Sequence, residues 1–387
     1  MTPPCYEGHQ LTLLRDGAAF FPALLSAIDA AQFEIRLETY IFASDDIGLA
    51  VARALMRAAQ RGVRVGLLLD GFGAYAFPAT LRQEMQGAGV QVLFFRPEVS
   101  RFALKRSRLR RLHRKLSCFD GQLAFIGGIN IISDDDGPGM APRYDYAVAV
   151  KGPVVLEIEQ ALLREWRYTA WMQFKKSIFA RRQWPLPVVV GDAKARLVVR
   201  DNARNRHAIE KAYLQAIEAA QSEIIIANAY FLPGLRLRQA LMRAAKRGVK
   251  VVLLLQDERD HALLQYASWA YYRDLLHAGV EIYQYKSGFM HAKVAVIDQV
   301  WATVGSSNID PFSLLLAREA NLVVENASFA LQLRADLQYR LQRDALLILP
   351  EHIHQASYLR RAVVWTCYGL VRLLLGVSGY GGRKYLE

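Results

Sequence analysis

Ala54-Leu-Met-Arg-Ala-Ala-Gln-Arg-Gly-Val-Arg-Val-Gly-Leu-Leu-Leu69 returns almost unchanged as Ala240-Leu-Met-Arg-Ala-Ala-Lys-Arg-Gly-Val-Lys-Val-Val-Leu-Leu-Leu255. Each copy predicts an amphipathic helix, a glycine stop and an apolar branched run suited to a buried parallel strand. Upstream, Ala27-Ile-Asp-Ala-Ala-Gln32 matches Ala216-Ile-Glu-Ala-Ala-Gln221, and Glu38-Thr-Tyr40 corresponds to Asn228-Ala-Tyr230. Self-similarity of this extent makes the chain two related halves. Helices are expected over 20–31, 49–61, 209–220 and 235–247, and strands over 33–42, 63–69, 223–231 and 249–255. The expected fold class is therefore α/β, two homologous halves, each a mainly parallel central sheet flanked by helices, packed as a pseudo-dimer. The basic cluster Lys175, Lys176, Arg181 and Arg182, followed by Trp184-Pro-Leu-Pro187, sets the boundary near residue 185. This divides the chain into 1–185, 186–355 and a tail, 356–387.

A second pattern is doubled within that repeat. His113-Arg-Lys115, four residues and Asp120 precede Gly127-Gly128-Ile129-Asn130; His291-Ala-Lys293, four residues and Asp298 precede Gly305-Ser306-Ser307-Asn308 at the same spacings. One His-x-Lys means nothing, but five matched positions occurring twice predict a single shared active site with two histidines. Residues two apart on a strand share a face, so His and Lys project together. Asp120 and Asp298 sit at the turn beyond and read as supports, not reacting groups.

Two imidazoles suit displacement at phosphorus. One attacks to give a phosphohistidine while the other protonates the leaving alcohol and deprotonates the incoming one. Lys115, Lys293, Asn130, Asn308 and Ser306 would hold the phosphoryl oxygens. Each imidazole needs its tautomer fixed by a carboxylate. The candidates are Asp145, after the first motif, and Glu319, after the second. His207, His261, His277, His352 and His354 lack a motif and read as structural or surface residues. Cys118 reads as a small buried strand residue.

The chain has 387 residues, 53% hydrophobic and 22% charged, with a formal charge of +13 and three scattered cysteines. That excludes a disulfide framework or zinc spacing and favours anionic partners. Asp134-Asp-Asp136 lacks alternating ligand spacing and reads as a solvated loop. No signal peptide or spanning segment is expected. Eight cations between Arg101 and Lys115, interleaved with Phe102, Leu104, Leu109 and Leu112, suit anionic headgroups or a polynucleotide backbone. The apolar stretch from Ala362 to Val377, interrupted by Arg372, reads as an interfacial helix or as a helix packed on the second half.

The doubled motif resembles the phospholipase D superfamily, and within it the bacterial cardiolipin synthases of the B type. Leu112-His-Arg-Lys115, Phe125-Ile-Gly-Gly-Ile-Asn130, Asp145-Tyr-Ala-Val148, Ile225-Ile-Ala-Asn-Ala-Tyr-Phe231 and Trp301-Ala-Thr-Val-Gly-Ser-Ser-Asn-Ile-Asp-Pro311 carry the likeness. The resemblance implies transfer of a phosphatidyl group, from phosphatidylglycerol, to the hydroxyl of a second phospholipid. It further implies that His113 is the nucleophile, that no metal or other cofactor takes part, and that the enzyme sits peripherally on the cytoplasmic face of the bacterial inner membrane. A hydrolase or a phosphodiesterase nuclease would use the same residues, and an idle membrane-binding protein is the reading from another class. The apolar tail favours lipid over nucleic acid.

Overall fold

A computed structural model describes residues 5–97, 110–134, 141–175, 179, 184–185, 189–202, 205–257, 262–351 and 358–377. The first half runs β1 (Tyr6–Arg15), α1 (Asp16–Ala30), β2 (Glu34–Thr39), α2 (Asp46–Gln60), β3 (Arg64–Asp70), α3 (Ala79–Gly87), β4 (Gln91–Phe95), β5 (Leu116–Phe119), β6 (Leu123–Gly127), β7 (Ala141–Tyr144), β8 (Tyr146–Lys151) and α4 (Val154–Met172). The second runs β9 (Ala193–Arg200), α5 (Ala208–Ala219), β10 (Glu223–Asn228), α6 (Leu235–Lys246), β11 (Lys250–Gln256), α7 (Ala262–His277), β12 (Glu281–Tyr285), β13 (Gly288–Met290), β14 (Lys293–Ile297), β15 (Trp301–Gly305), α8 (Pro311–Leu315), β16 (Glu319–Glu325), α9 (Ala327–Arg343) and β17 (Ala345–Leu347). A tail helix, α10 (Tyr358–Val377), follows.

Local chemistry explains the repeated helices. Asp45 caps α2 by accepting from the Gly48 N–H at 2.8 Å, and Val51, Ala52, Leu55 and Ala58 bury one face. Burying Leu55 fully is worth about 1.5–3 kcal/mol. Gly62 and its counterpart Gly248 take φ of +91° and +88°, the left-handed conformation that ends a helix cheaply only with glycine.

Fifteen strands join in one sheet, ordered β17-β12-β11-β10-β14-β15-β16-β9-β1-β8-β6-β5-β2-β3-β4. Read outward from β9/β1, the two halves list equivalent strands in the same order. The parallel character expected of each half is confined to β2-β3-β4 and β10-β11-β12, which helices connect. The inner strands are antiparallel, because β5-β6 and β14-β15 are hairpins and cannot be parallel. The halves share one core, with β5, β6 and β8 residues packed alongside β10, β14 and β16 under α4 and α9. Cys118 lies in it, and burial pushes its thiol up to about 12.

The tail helix packs Val364 and Val371 inward, the latter beside Leu232, Ala267, Leu315 and Leu316. Its other face leaves Trp365 61% and Leu373 62% exposed, with Val363 and Leu370 beside them. Among the described residues no helix is long and apolar enough to cross a membrane.

Candidate active site

Asp120 and Asp298 adopt φ of +50° at the turns between the motif hairpin strands, a conformation Asp tolerates better than most side chains. Asp120 accepts from the N–H groups of Gln32, Phe33 and Glu34 at 2.7–2.8 Å. Asp298 accepts from Gln221, Ser222 and Glu223 at 2.8–3.0 Å. Burial would raise the Asp298 carboxyl, but these donors hold it below the usual range. Both lie at the end of a strand away from the histidine, seven residues and roughly 23 Å along extended chain, and tie the hairpin to the start of β2 or β10.

The histidines enter from extended segments just before β5 and β14, and each is gripped by the opposite half. The His113 N–H donates to the Arg318 carbonyl at 2.9 Å, and its Nδ1 meets Glu319 at 3.1 Å. The His291 N–H donates to the Tyr144 carbonyl at 2.8 Å, and its Nδ1 meets Asp145 at 2.7 Å. The orienting carboxylates are thus exchanged: Glu319 serves the first motif and Asp145 the second. The dipeptides Arg318-Glu319 and Tyr144-Asp145 make the same two-point contact, backbone and side chain. Tyr40 packs edge-on to His113 with centroids 4.7 Å apart, and Phe289 stacks on His291 at 5.9 Å.

Electrostatics place all of these groups in one site. The His113 and His291 side chains are 15% and 12% exposed, so one edge of each ring reaches solvent. Burial lowers His113 against the pull of Glu319. Burial lowers His291 much further, assisted by Lys293, Lys115 and His113. The Lys115 Nζ donates to the His113 carbonyl at 2.7 Å, and Lys293 likewise donates to the carbonyl of His291. Desolvation lowers Lys115 to about 7 and Lys293 to about 8, opposed by Glu319 and Asp145. Burial raises Asp145 to about 7 against Lys293. An entering phosphate anion would restore full charge to both lysines.

The two asparagines differ. The Asn130 Oδ1 accepts from the Ile41 N–H at 3.1 Å, leaving its NH2 without a partner among the described residues. Asn308 is 4% exposed, and its Oδ1 has no hydrogen-bond partner among the described residues. Ser306, expected as a phosphate ligand, has its hydroxyl engaged within its own half. It is fully buried, its Oγ donating to Glu319 at 2.5 Å and accepting from the Ala320 N–H at 3.1 Å. At the matching position Gly128 leaves no room: a Cβ there would lie 2.4 Å from the Asp145 carboxylate.

The basic run before His113 turns partly inward. Arg111 lies over Phe72, 3.8 Å from Asp70, while Arg114 and Lys115 are buried; residues 101–109 lie outside the described residues, as do Asp135, Asp136, His261, His352 and His354. Asp134 binds the Gly17 N–H. Arg114 forms a two-pronged pair with Glu38 at 2.7–3.1 Å and reaches Glu165, which also holds Arg318. This buried network behind His113 and Glu319 escaped the reading of the sequence. Its signal was present once the strand register is known: that register matches Glu38 to Ala227, not to Asn228, so the second half replaces Glu38 by Ala227 and Arg114 by Ala292 together.

A family model described as "Cardiolipin synthase, PLD-like domain" matches residues 24–166 and 213–341. Cardiolipin synthase B of Salmonella typhi is 40% identical over 344 residues, covering 86% of this chain and 80% of the relative. Cardiolipin synthase B of Escherichia coli K12 is 38% identical over 341 residues, with the same coverage. The crystal structure of phosphatidylserine synthase from Haemophilus influenzae Rd KW20 covers all of this chain and 97% of that one at a TM-score of 0.68; at 13% identity, the likeness is one of fold.

Proposed function

The chain belongs to the cardiolipin synthase family of phospholipase D-like proteins, and on that premise we propose that it is a phosphatidyltransferase joining two phospholipids at a membrane surface. One observation carries the mechanism: two His–Lys pairs meet in one site, and each imidazole Nδ1 is held by a carboxylate, leaving Nε2 for chemistry. His113 attacks the phosphorus of phosphatidylglycerol while His291 protonates the departing glycerol. His291 then takes the proton from the hydroxyl of a second phospholipid, which attacks the phosphohistidine and releases cardiolipin and His113. Lys115 and Lys293 neutralise the phosphoryl oxygens, and the NH2 groups of Asn130 and Asn308 donate to them.

The exposed apolar face of α10 supports peripheral attachment, with Trp365 and Leu373 entering the headgroup boundary. The assignment to the cytoplasmic face of a bacterial inner membrane remains part of this proposal. Bilayer placement presents acceptor hydroxyls at high effective concentration, which favours transfer over hydrolysis. The test is to give the protein vesicles of labelled phosphatidylglycerol and separate the products, beside a plasmid-nicking control. Cardiolipin and glycerol are expected. Phosphatidic acid as the main product would make it a hydrolase, and nicked plasmid without lipid turnover would make it a nuclease.

A further inference from the structure

A cavity of about 200 Å³ opens between the halves, lined by Glu157 and Arg164 of α4, Arg196 of β9, and Asn205, Ala208 and Lys211 at the start of α5. Its origin is topological. β1 and β9 pair only through Tyr6↔Ala195 and His9↔Ala193, so β9 beyond Ala195 has no strand partner on that side among the described residues. Glu157 occupies part of the opened edge, accepting from the Leu197 N–H at 3.4 Å.

Arg196 makes this opening unusual. It is 8% exposed, its side chain forms no hydrogen bond or ion pair among the described residues, and its Nε is buried without a partner there. A guanidinium always carries its charge, and an unpaired buried cation is costly. Arg164 and Lys211 add two cations against the single carboxylate of Glu157. The twelve-residue α5 has no side-chain cap, because His207 bonds Glu210 instead. The cavity runs along the first two turns of α5, past Ala208, Lys211, Ala212 and Gln215. Arg200, four residues along β9, is the residue in register with Glu319, so Arg196 lies roughly 13 Å from the histidine site.

We propose that this cavity is a second anion site, taking a phosphate or phosphomonoester group that bridges α4 of one half and β9–α5 of the other. It would act on the active site indirectly. Arg164 precedes Glu165, which holds Arg318, and β9 carries Arg200 beside Glu319. A bound anion would therefore fix the relative position of the two elements that frame Glu319.

The test is amide hydrogen exchange on the full chain with inorganic phosphate in the millimolar range. Phosphate should slow exchange at 208–211, at the start of α5, and separately at the segments bearing Asn130 and Asn308. Arg196→Gln should weaken protection of 208–211 about tenfold while leaving the Asn segments protected. Lys293→Ala should do the reverse. Lys211→Gln, at an exposed position, should give a smaller loss of the same kind and serves if Arg196→Gln misfolds. Vesicles of phosphatidic acid, run beside soluble phosphate, distinguish a lipid headgroup from a free anion. No protection of 208–211 by either source, or equal protection in wild type, Arg196→Gln and Lys211→Gln, would overturn the proposal.

Discussion

Lys115 shows what the site costs the fold. Its ammonium is buried, and desolvation outweighs Glu319 enough to bring it to about 7. Lys115→Met should therefore cut turnover by roughly 10²–10³, the usual loss of one oxyanion donor, without lowering the melting temperature. Between about pH 7 and its ordinary 10.5, the unfolded chain binds a proton the folded chain does not, so stability gains from this residue as pH rises. The variant should lose that dependence, which melts across pH would show. A melting temperature several degrees below wild type would disprove the claim. In the same pH range kcat/KM should fall as Lys115 and Lys293, at about 7 and 8, discharge; a flat profile to pH 10 would remove the lysines from substrate binding. Gln299 carries a different strain, a φ of +60° where the first copy has Gly121. Gly121 must also admit the Trp184 ring, 2.4 Å from where its Cβ would be. Gln299 is not under that constraint, so Gln299→Gly should stabilise by up to about 1 kcal/mol, read by denaturant unfolding.

At the scale of elements, much was legible because it is written in local chemistry. Helix α2 lies within a few residues of its expected span, since Asp45, the apolar stripe and Gly62 each act over one turn. The antiparallel inner strands were not legible, because apolar runs look alike whichever way a neighbour runs. The Arg114–Glu38 pair was missed for a related reason: seventy-six positions separate its members. The second half replaces it with Ala292 and Ala227, which suggests an exchange. Arg114→Ala alone leaves Glu38 and Glu165 facing burial and should cost about 3–5 kcal/mol. Adding Glu38→Ala, the residue of the second half at that position, should recover a substantial part in urea unfolding; no recovery would mean that Glu165, not Glu38, is the partner that matters. The tail helix offers a separate test. Trp365→Asp, on its exposed face, should weaken vesicle binding without altering the melting temperature, whereas a change at buried Val371 should do the opposite.

At the scale of the molecule, the repeat foretold two histidines in one site, but sequence order set each carboxylate with the motif it follows, Asp145 with His113 and Glu319 with His291, and the structure exchanges them. That depends on the approximate two-fold relation about β1 and β9, through which each half presents its carboxylate to the other's imidazole. The exchange makes a prediction that same-half pairing would reverse. With His113 as nucleophile, Glu319→Gln disturbs the attacking imidazole, although Glu319 lies in the other half. Asp145→Asn disturbs His291, the proton donor and later the base. Enzyme mixed with phosphatidylglycerol labelled at phosphorus and quenched should then show slow formation but marked accumulation of labelled phosphohistidine in Asp145→Asn. Glu319→Gln should show little label at any time, because the attack itself is impaired. Label accumulating in Glu319→Gln and absent from Asp145→Asn would exchange the roles of the two histidines. Equal labelling in both variants would mean that neither carboxylate governs its imidazole.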